Sequence, residues 1–505
     1  MSNETTPQRL LATPVSTPEL PDLNLHEIQG DVLIGLQKNY ERFIFFKIAE
    51  VAAFKSALRK HIAHRITSAL TVKAREFQLR DHKTNGGKEP LPLVGLNLGF
   101  TNTGIQKLLK GVDLKDASFD KGAAALAPSL GDALDGSGKL ANWKSEFLSK
   151  NIDGVFLVTG GTQAAVDGEA RHVLGILGAS TKVIFDETGH VRPGLERGHE
   201  HFGWLDGVSQ PGVKGLTDPF PGQRLLDPGH FVFGYPGQAA PPPVEWMNNG
   251  SFMVFRRLNQ LVPEFSKFIL DQAKNIQLND PAGTSQMDPV LLGARLVGRW
   301  KSGAPLALTP SQDDTTLGAD PNQNNNFDFS DDPDQRRCPF SAHIRKSNPR
   351  ADFNPTSPEA SQEADVDPRR IIRAGIPFGP EVSPTEQSAN TTSQERGLMF
   401  VCYQTSIPNQ FEFIQIKWVN NSGFIFGKKR PSPPNDPVVV GFDPIIGQNT
   451  LNGVPQPRTA DEPIPNYPTG NVRSTLQEPV DFVVPTGGAY FFVPSIAALE
   501  HELSA

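Results

Sequence analysis

An aspartate that lies between an apolar residue and a glycine is the first candidate for chemistry. Asp206 follows Leu205 and precedes Gly207 in the segment 198–211. A carboxylate in an apolar setting can exchange protons with a bound substrate, and a neighbouring glycine lets the backbone approach a flat ligand closely. An aspartate before a glycine is also a common turn sequence, so this segment alone leaves both interpretations open.

A histidine and three arginines are the other candidates. His343 lies in the segment 338–350 together with Arg345 and Arg350, and Arg373 follows a pair of isoleucines. An imidazole nitrogen can bind a metal ion, a guanidinium group pairs with carboxylates, and a buried arginine needs an anionic partner. Taken one by one, these residues are also compatible with a structural histidine and with ordinary arginines at strand ends or on the surface.

Strand–helix pairs in both halves of the chain would position these residues. In the first half, the strand patterns 43–48 and 94–100 are each followed by apolar residues at helical spacing. In the second half, the strand patterns 252–255 and 397–403 are followed in the same way. The repetition predicts a duplicated α+β architecture with antiparallel sheets.

Length, charge and hydropathy narrow the function classes. With 505 residues, the chain is long enough for two or more domains. The net charge of −7 and the lack of a long basic run argue against nucleic acid as a partner. No apolar stretch approaches the roughly 20 residues needed to span a bilayer, so no membrane segment is expected. Residues 1–24 are typical of a mobile polar tail and lack the apolar core of a signal peptide.

Two cysteines and two long segments without a periodic pattern remain. Cys338 and Cys402 do not make a disulfide framework, and we expect two free, buried thiols. Residues 303–340 carry many aspartates, and residues 428–485 are rich in proline and glycine. Loops of this length are usually functional or mobile, and for most of their length we expect surface loops.

The three candidate segments together resemble the dye-decolorizing peroxidases, a family of haem peroxidases. Three motifs occur in the family's order, namely Gly203-x-x-Asp206-Gly207, His343-Ile344-Arg345 and Arg373-x-Gly375. The opening segment 28–33 also looks like the family's start. The resemblance runs from about residue 26 to the C-terminus, and the long loops look most like the fungal branch.

The resemblance implies two ferredoxin-like α+β domains of the dimeric α+β barrel type, with antiparallel sheets and peripheral helices. After the tail, the first domain would span residues 25–235 and carry the Asp206 motif, with Gly207 against the cofactor. The second domain would span residues 236–505 and hold a b-type haem, iron protoporphyrin IX. The haem would make the protein a peroxidase that uses hydrogen peroxide to oxidise dyes, phenols and other aromatic reductants.

The resemblance also implies a role for each candidate residue. His343 would be the axial ligand of the haem iron, and Arg345 and Arg350 would lie near the haem propionates. Asp206 and Arg373 would lie on the opposite haem face, where Asp206 moves the peroxide proton and Arg373 stabilises charge during O–O cleavage. Because an ordinary aspartate has a much lower pKa than a histidine, we expect an acidic activity optimum.

Three more residues receive expectations. Asp443 is our candidate partner for the second ring nitrogen of His343, with a turn aspartate before a proline as the alternative. Trp418 matches the position of the family's surface tryptophan and is a candidate electron relay for bulky substrates, with a packing tryptophan as the alternative. Phe378 stands where relatives often carry a tyrosine, and phenylalanine is much harder to oxidise, so no relay is expected there.

Other functions are compatible with the same residues. His199 and His201 would face one side of a strand and could mark a non-haem metalloenzyme. The same fold could store or carry haem without peroxide turnover. Acidic side chains in the segment 303–340 could bind Mn(II) near a propionate. The resemblance favours an extracellular protein, a cytoplasmic one is compatible with the N-terminus, and both a monomer and a dimer stay open.

Overall fold

One antiparallel sheet of nine strands organises the computed structural model of the protein. The structure describes residues 23–87, 89, 91, 93–205, 207–276, 287–353, 364–426, 440–448, 450–451, 454–455, 458–463 and 473–505. The strands are β1 (Tyr40–Ile48), β2 (Val94–Phe100), β3 (Gly154–Gly160), β4 (Thr181–His190), β5 (Gly212–Val213), β6 (Leu225–Leu226), β7 (Ser251–Gln260), β8 (Ile372–Arg373), β9 (Ile376–Phe378), β10 (Gly397–Gln404), β11 (Thr450–Leu451), β12 (Val454–Pro455), β13 (Arg458–Pro463), β14 (Arg473–Glu478) and β15 (Val483–Val493).

The strand order of this sheet contains the same arrangement twice. The first unit has the order β4-β1-β3-β2, and the second unit has the order β15-β7-β10-β8, with β9 also paired to β10. The two units join where Phe100 of β2 pairs with Phe492 of β15, and at the other end β4 lies against β9. This repeated order is that of a ferredoxin-like unit, so the predicted duplicated α+β fold is confirmed.

Helices pack on the sheet and between its loops, and α8 covers β1 and β3. Two of the helices continue as π-helical turns, at Leu58–Ile62 and Ile414–Val419. The α-helices are α1 (Gly30–Leu33), α2 (Val51–Ala57), α3 (Ala69–Thr84), α4 (Asn102–Leu108), α5 (Ala117–Lys121), α6 (Ala123–Leu126), α7 (Ser145–Leu148), α8 (Gln163–Leu177), α9 (Val262–Asn275), α10 (Pro289–Val297), α11 (Thr315–Ala319), α12 (His343–Ser347), α13 (Pro384–Ala389), α14 (Phe411–Phe413) and α15 (Ile496–Glu500).

The central part of strand β1 is apolar on both faces because helices or loops cover both sides of the sheet there. Phe43, Ile44, Phe45 and Phe46 of β1 are all 0% exposed. The ring of Phe45 lies 4.9 Å from the ring of Phe255 on β7, so the two sheet units share one apolar core. A continuous apolar run is typical of such a doubly covered strand.

A second apolar cluster fixes the segment that leads to Asp206. Trp204 is 5% exposed and donates from Nε1 to the carbonyl of Arg299 at 2.9 Å. Its ring packs so closely on α10 that a Cβ atom at Gly293 would lie 2.8 Å from it. Phe265 of α9 packs against the same ring at 6.0 Å. The cluster therefore anchors the residues just before Asp206.

The long segments contain short elements where the structure describes them. Residues 303–340 contain α11, and residues 428–485 contain the antiparallel pairs β11–β12 and β13–β14, which the sequence did not predict. Cys338 and Cys402 are buried and do not form a disulfide with each other, as predicted. No helix among the described residues is long and apolar enough to cross a membrane. The tail 1–24 lies outside the described residues except for its last two, and the domain boundary near residue 235 stays a prediction.

Candidate active site

A cavity with about 1900 Å³ of empty space, part of it open to solvent, lies against the second sheet unit. One wall consists of side chains that share a face of β7 and β10 because they alternate along each strand. These are Arg256, Leu258, Gln260, Leu398 and Phe400. Further lining residues come from the segment 200–211, from α12, from the segment 366–373 and from residues 445–448. The cavity thus collects residues from all three candidate segments.

His343 projects from the first turn of α12 into this cavity. Its Nδ1 atom lies 2.8 Å from Oδ2 of Asp443, which is 0% exposed. The other carboxylate oxygen of Asp443 accepts the backbone N–H groups of Ile445 and Ile446 at 2.8 and 3.0 Å. These contacts fix the orientation of the imidazole, so Nε2 is the ring nitrogen that would bind a metal ion.

The charge of Asp443 is stabilised although the carboxylate is buried. Burial acts to raise the pKa of Asp443, but the charge and hydrogen bond of His343, helped by the two backbone N–H groups, lower the pKa below its usual value. A neighbouring carboxylate of this kind makes the imidazole a stronger electron donor. The structure therefore brings together the two residues that the sequence analysis paired.

Arg373 faces the same cavity from β8. Its Nη2 atom donates to the carbonyl of Ser209 at 3.2 Å. Its backbone N–H donates to the side chain of Gln210 at 3.2 Å, and the Gln210 amide donates back to its carbonyl at 2.6 Å. Arg373 is thereby tied to the segment that follows Asp206.

Asp206 lies outside the described residues, but the structure describes both of its neighbours. Leu205 and Gly207 line the cavity. Gly207 has a φ of +83°, and a Cβ atom added there would meet no atom within 4 Å. The two described neighbours of Asp206 therefore border the same space as His343 and Arg373.

Two further arginines approach the cavity around Asn325. Arg350 donates to Oδ1 of Asn325 at 2.6 Å, and Arg299, which the sequence analysis did not single out, donates to Oγ of Ser209 at 2.9 Å. Burial, followed by the positive charge of Arg350 and that of Arg373, lowers the pKa of Arg299 to about 9. A group of three arginines at one cavity suits an anionic ligand.

Known proteins match the chain over nearly its full length. A family model described as "DyP dimeric alpha+beta barrel domain" matches residues 27–193, and one described as "Dyp-type peroxidase, C-terminal" matches residues 307–424. The chain is 41% identical to a dye-decolorizing peroxidase of Mycetinis scorodonius, over 98% of this chain and 93% of the relative. The chain belongs to the dye-decolorizing peroxidase family. It is therefore a peroxidase, an oxidoreductase of a family of haem enzymes.

Other members of the dye-decolorizing peroxidase family agree in sequence and fold. The relative from Exidia glandulosa is 42% identical over 96% of this chain and 88% of its own. A solved ancestral D-type dye-decolorizing peroxidase superposes with a TM-score of 0.84 at 43% identity, covering 96% of this chain and 100% of the other. The structure of the enzyme from Auricularia auricula-judae gives a TM-score of 0.82 at 39% identity, with the same coverage.

Arg345 does not reach the cavity of this dye-decolorizing peroxidase. The side chain is 0% exposed, and its guanidinium donates to Asp352 at 2.6 Å and to Asp332 at 2.9 Å. It also lies over the rings of Phe329 and Phe340, 4.5 Å from each centroid. The expectation that Arg345 lies near haem propionates therefore has no support, because two buried carboxylates already neutralise its charge.

Trp418 is not a surface residue of the enzyme, contrary to the expectation from the sequence. Its side chain is 2% exposed. Its ring stacks on the ring of Phe424 at 5.5 Å, and the rings of Phe353 and Phe413 each make a T-shaped contact with it at 5.5 Å. It lies on the π-helical turn Ile414–Val419, which rotates its residues relative to an α-helix. The indole therefore turns inward and lines the cavity.

The metal sites considered as alternatives find no support in the described part of the peroxidase. The ring of His199 bonds to the carbonyl of Lys301 at 3.1 Å, and the ring of His201 bonds to the carbonyl of Phe378 at 2.8 Å. The two rings thus serve different backbone groups. No group of three or more histidine, cysteine, aspartate or glutamate side chains among the described residues could hold a metal ion, so neither a non-haem site nor an Mn(II) site emerges there.

Proposed function

We propose that the chain is a haem b peroxidase that uses hydrogen peroxide to oxidise dyes, phenols and related aromatic reductants. The observation that carries this proposal is the His343 imidazole at the cavity, held through Nδ1 by the buried carboxylate of Asp443. A histidine with an anionic partner is a common axial ligand arrangement for iron. The family membership supports the same chemistry.

The residues around the cavity fit a flat, anionic cofactor. Most of the lining is apolar, as a macrocycle requires. Arg299 and Arg350 supply positive charge for carboxylate groups at its edge. The buried Oδ1 atom of Asn348 has no hydrogen-bond partner among the described residues, and such an atom needs a ligand or water to satisfy it.

Peroxide activation is assigned to Asp206 and Arg373. Bound haem supplies the iron at which peroxide is reduced and through which electrons are withdrawn from reductants one at a time. The Asp206 carboxylate accepts a proton from one peroxide oxygen and donates it to the other, which leaves as water; such an acid–base group contributes roughly 100- to 10,000-fold. The Arg373 guanidinium stabilises the negative charge on the departing oxygen.

Reductants of two sizes use two routes. One solved relative, at 41% identity and a TM-score of 0.81, is a complex with 2,6-dimethoxyphenol, and small phenols of this class enter the cavity of this enzyme. Bulky dyes donate electrons through Trp418, whose indole lines the cavity on one side and packs within an aromatic cluster on the other. The outermost ring of that cluster, Phe426, is 62% exposed.

The visible spectrum of the purified protein before and after one equivalent of hydrogen peroxide tests the proposal. We expect a haem Soret band that changes with peroxide and recovers with a reducing dye. His343→Ala should change the axial ligation, and Asp206→Asn should slow the reaction with peroxide while haem stays bound. A haem band that ignores peroxide would favour a haem carrier, and no haem band after reconstitution would overturn the assignment.

A further inference from the structure

A fully buried lysine lies one helical turn beyond His343. Lys346 is 0% exposed, although lysine side chains are almost never fully buried without a partner. Positions three apart on a helix lie on the same face, so His343 and Lys346 project from one side of α12. The mechanism described above makes no use of this lysine.

The ammonium group of Lys346 is held by three backbone carbonyls. It donates to Asn421 at 2.7 Å, to Phe424 at 2.8 Å and to Gly441 at 2.6 Å. A lysine ammonium has three N–H donors, so these contacts use all three. Burial lowers the pKa of Lys346 to about 7, and the negative charge of Asp443 opposes that shift. Asp443 is therefore the carboxylate whose field acts on the lysine.

The three carbonyls belong to the chain segments that hold Asp443 in place. Gly441, two residues before Asp443, donates its backbone N–H to the carbonyl of Ser422 at 2.9 Å. Asp443 donates its own backbone N–H to the carbonyl of Val419 at 3.1 Å. Helix α12 therefore contacts the segment 441–443 at two points, through the hydrogen bond between His343 and Asp443 and through the hydrogen bond from Lys346 to Gly441.

We propose that Lys346 is a positioning residue that sets the hydrogen bond between Asp443 and His343 and thereby tunes the electron donation of the imidazole to iron. Through its hydrogen bond to the carbonyl of Gly441 at 2.6 Å, Lys346 fixes the backbone two residues before Asp443. This inference rests on the proposed role of His343 as the iron ligand. It adds a residue that contacts neither the cofactor nor the substrate.

The positive charge of Lys346 is not needed for a purely structural role. A neutral amide side chain could bridge backbone carbonyls at a much lower cost of burial than an ammonium group. Arg345, the neighbouring buried cation on the same helix, has two carboxylates of its own. Lys346 has backbone carbonyls as partners, and the negative charge of Asp443 is the carboxylate charge that acts on it.

A double-mutant cycle on the haem-loaded protein tests the proposal. The measurements are the iron–histidine stretching vibration of the ferrous protein and the ferric/ferrous reduction potential. Lys346→Met removes the charge and the donors at similar volume, Lys346→Gln keeps two donors without the charge, and Asp443→Asn removes the acceptor charge. We expect Lys346→Met to lower the stretching frequency, as Asp443→Asn does. In the Asp443→Asn background, Lys346→Met should cause little further change in that frequency.

The controls separate this proposal from a structural role and from the proposed function. Arg345→Lys perturbs packing on the same helix and should leave the stretching vibration unchanged. The positioning role is overturned if Lys346→Met leaves the stretching frequency unchanged. It is also overturned if Lys346→Met shifts that frequency equally with Asp443 and with Asn at position 443. Failure of both Lys346 variants to fold while Arg345→Lys folds assigns Lys346 to structure alone and also overturns it. Loss of the iron–histidine band in His343→Ala shows independently that His343 is the ligand, whereas its persistence defeats the proposed function instead.

Discussion

The Nδ1 atom of His343 lies 2.8 Å from a carboxylate oxygen of Asp443, and these residues stand 100 positions apart in the chain. The carboxylate is fully buried and is oriented by two backbone N–H groups. Such a pair holds the imidazole in one orientation and raises its basicity. The pair is the structural feature that most directly fits an iron site in this peroxidase.

Asp443→Asn should raise the iron reduction potential of the haem-loaded enzyme. The amide cannot supply the negative charge that stabilises the more positive ferric state. The hydrogen bond to a charged group is worth about 1.5–3 kcal/mol, which corresponds to roughly 60–130 mV for one electron. Spectroelectrochemical titration measures the change. Asp352→Asn, which alters a buried carboxylate bound to Arg345, is the control and should leave the potential unchanged.

Arg350→Met and Arg345→Met should have different effects. Arg350 lines the cavity, and losing a charge-assisted contact there should weaken haem binding by roughly 10- to 100-fold. Arg345 is buried between Asp332 and Asp352, and its removal should lower the free energy of unfolding by about 3–5 kcal/mol. Haem titration of the apoprotein and denaturant unfolding separate the two effects. Equal loss of haem affinity in both variants would restore Arg345 to the cofactor site.

Much of the fold was predictable because its strands are apolar runs with clear neighbours. The pattern 43–48 corresponds to β1, and the pattern 397–403 corresponds to β10. Strand β4 was not predicted, because it pairs only with β1 in the sheet order and most of its side chains are partly exposed. Its conformation depends on hydrogen bonds to a distant strand, which local sequence does not contain.

The sequence predicted the site residues that lie in specific motifs. It could not predict the residues whose position at the cavity depends on the backbone geometry of the folded chain. Arg345 and Arg350 lie five positions apart, and no pattern tells which one faces the cavity. The backbone of Arg350 has a φ of +49° after helix α12 ends, and that turn directs its side chain. Arg299 carries no motif, and only the folded chain brings it to Ser209 and Asn325.

Trp418→Ser should impair the oxidation of bulky dyes far more than that of small phenols. The buried indole is the side chain in its aromatic cluster that is readily oxidised, since its described ring neighbours are phenylalanines. Steady-state kcat/KM values for a bulky dye and for 2,6-dimethoxyphenol measure the difference. Phe424→Leu removes a neighbouring ring without removing the indole and is the control. Equal losses on both substrates in Trp418→Ser would contradict the relay.

The reaction with peroxide should be fastest in acid because the acid–base group that we propose for it, Asp206, is an aspartate. An ordinary aspartate ionises near pH 3.9 and an ordinary histidine near pH 6.5. Asp206 should therefore stay a base at pH values where a histidine is protonated. The pH profile of kcat/KM for peroxide checks this, and Asp206→His should move the acidic limb to higher pH. A neutral or alkaline optimum in the unaltered enzyme, with haem retained in acid, would refute the assignment.

The same acidic range should destabilise the fold through His201. Burial is the largest cause that lowers the pKa of His201 to about 4, and the positive charges of Arg192 and Arg396 also lower it. The hydrogen bond to the carbonyl of Phe378 and the negative charge of Glu381 oppose this shift. Because the folded pKa lies below the unfolded value, protonation favours the unfolded chain. The neutral, buried His201 side chain therefore contributes about 3 kcal/mol to the free energy of unfolding above pH 6.5, and this contribution is lost as the pH falls toward 4.

Thermal unfolding of His201→Gln between pH 7 and pH 4 tests this linkage. The glutamine amide can still donate to the carbonyl of Phe378 but carries no titrating group, so the fall in Tm with acid should be shallower than in the unaltered enzyme. His501, whose side chain is 69% exposed, is the matched control, and His501→Gln should keep the original slope. An unchanged slope in His201→Gln would mean that other groups govern the loss of stability in acid. A shallower slope would identify His201 as one limit on how far the enzyme's acidic working range extends.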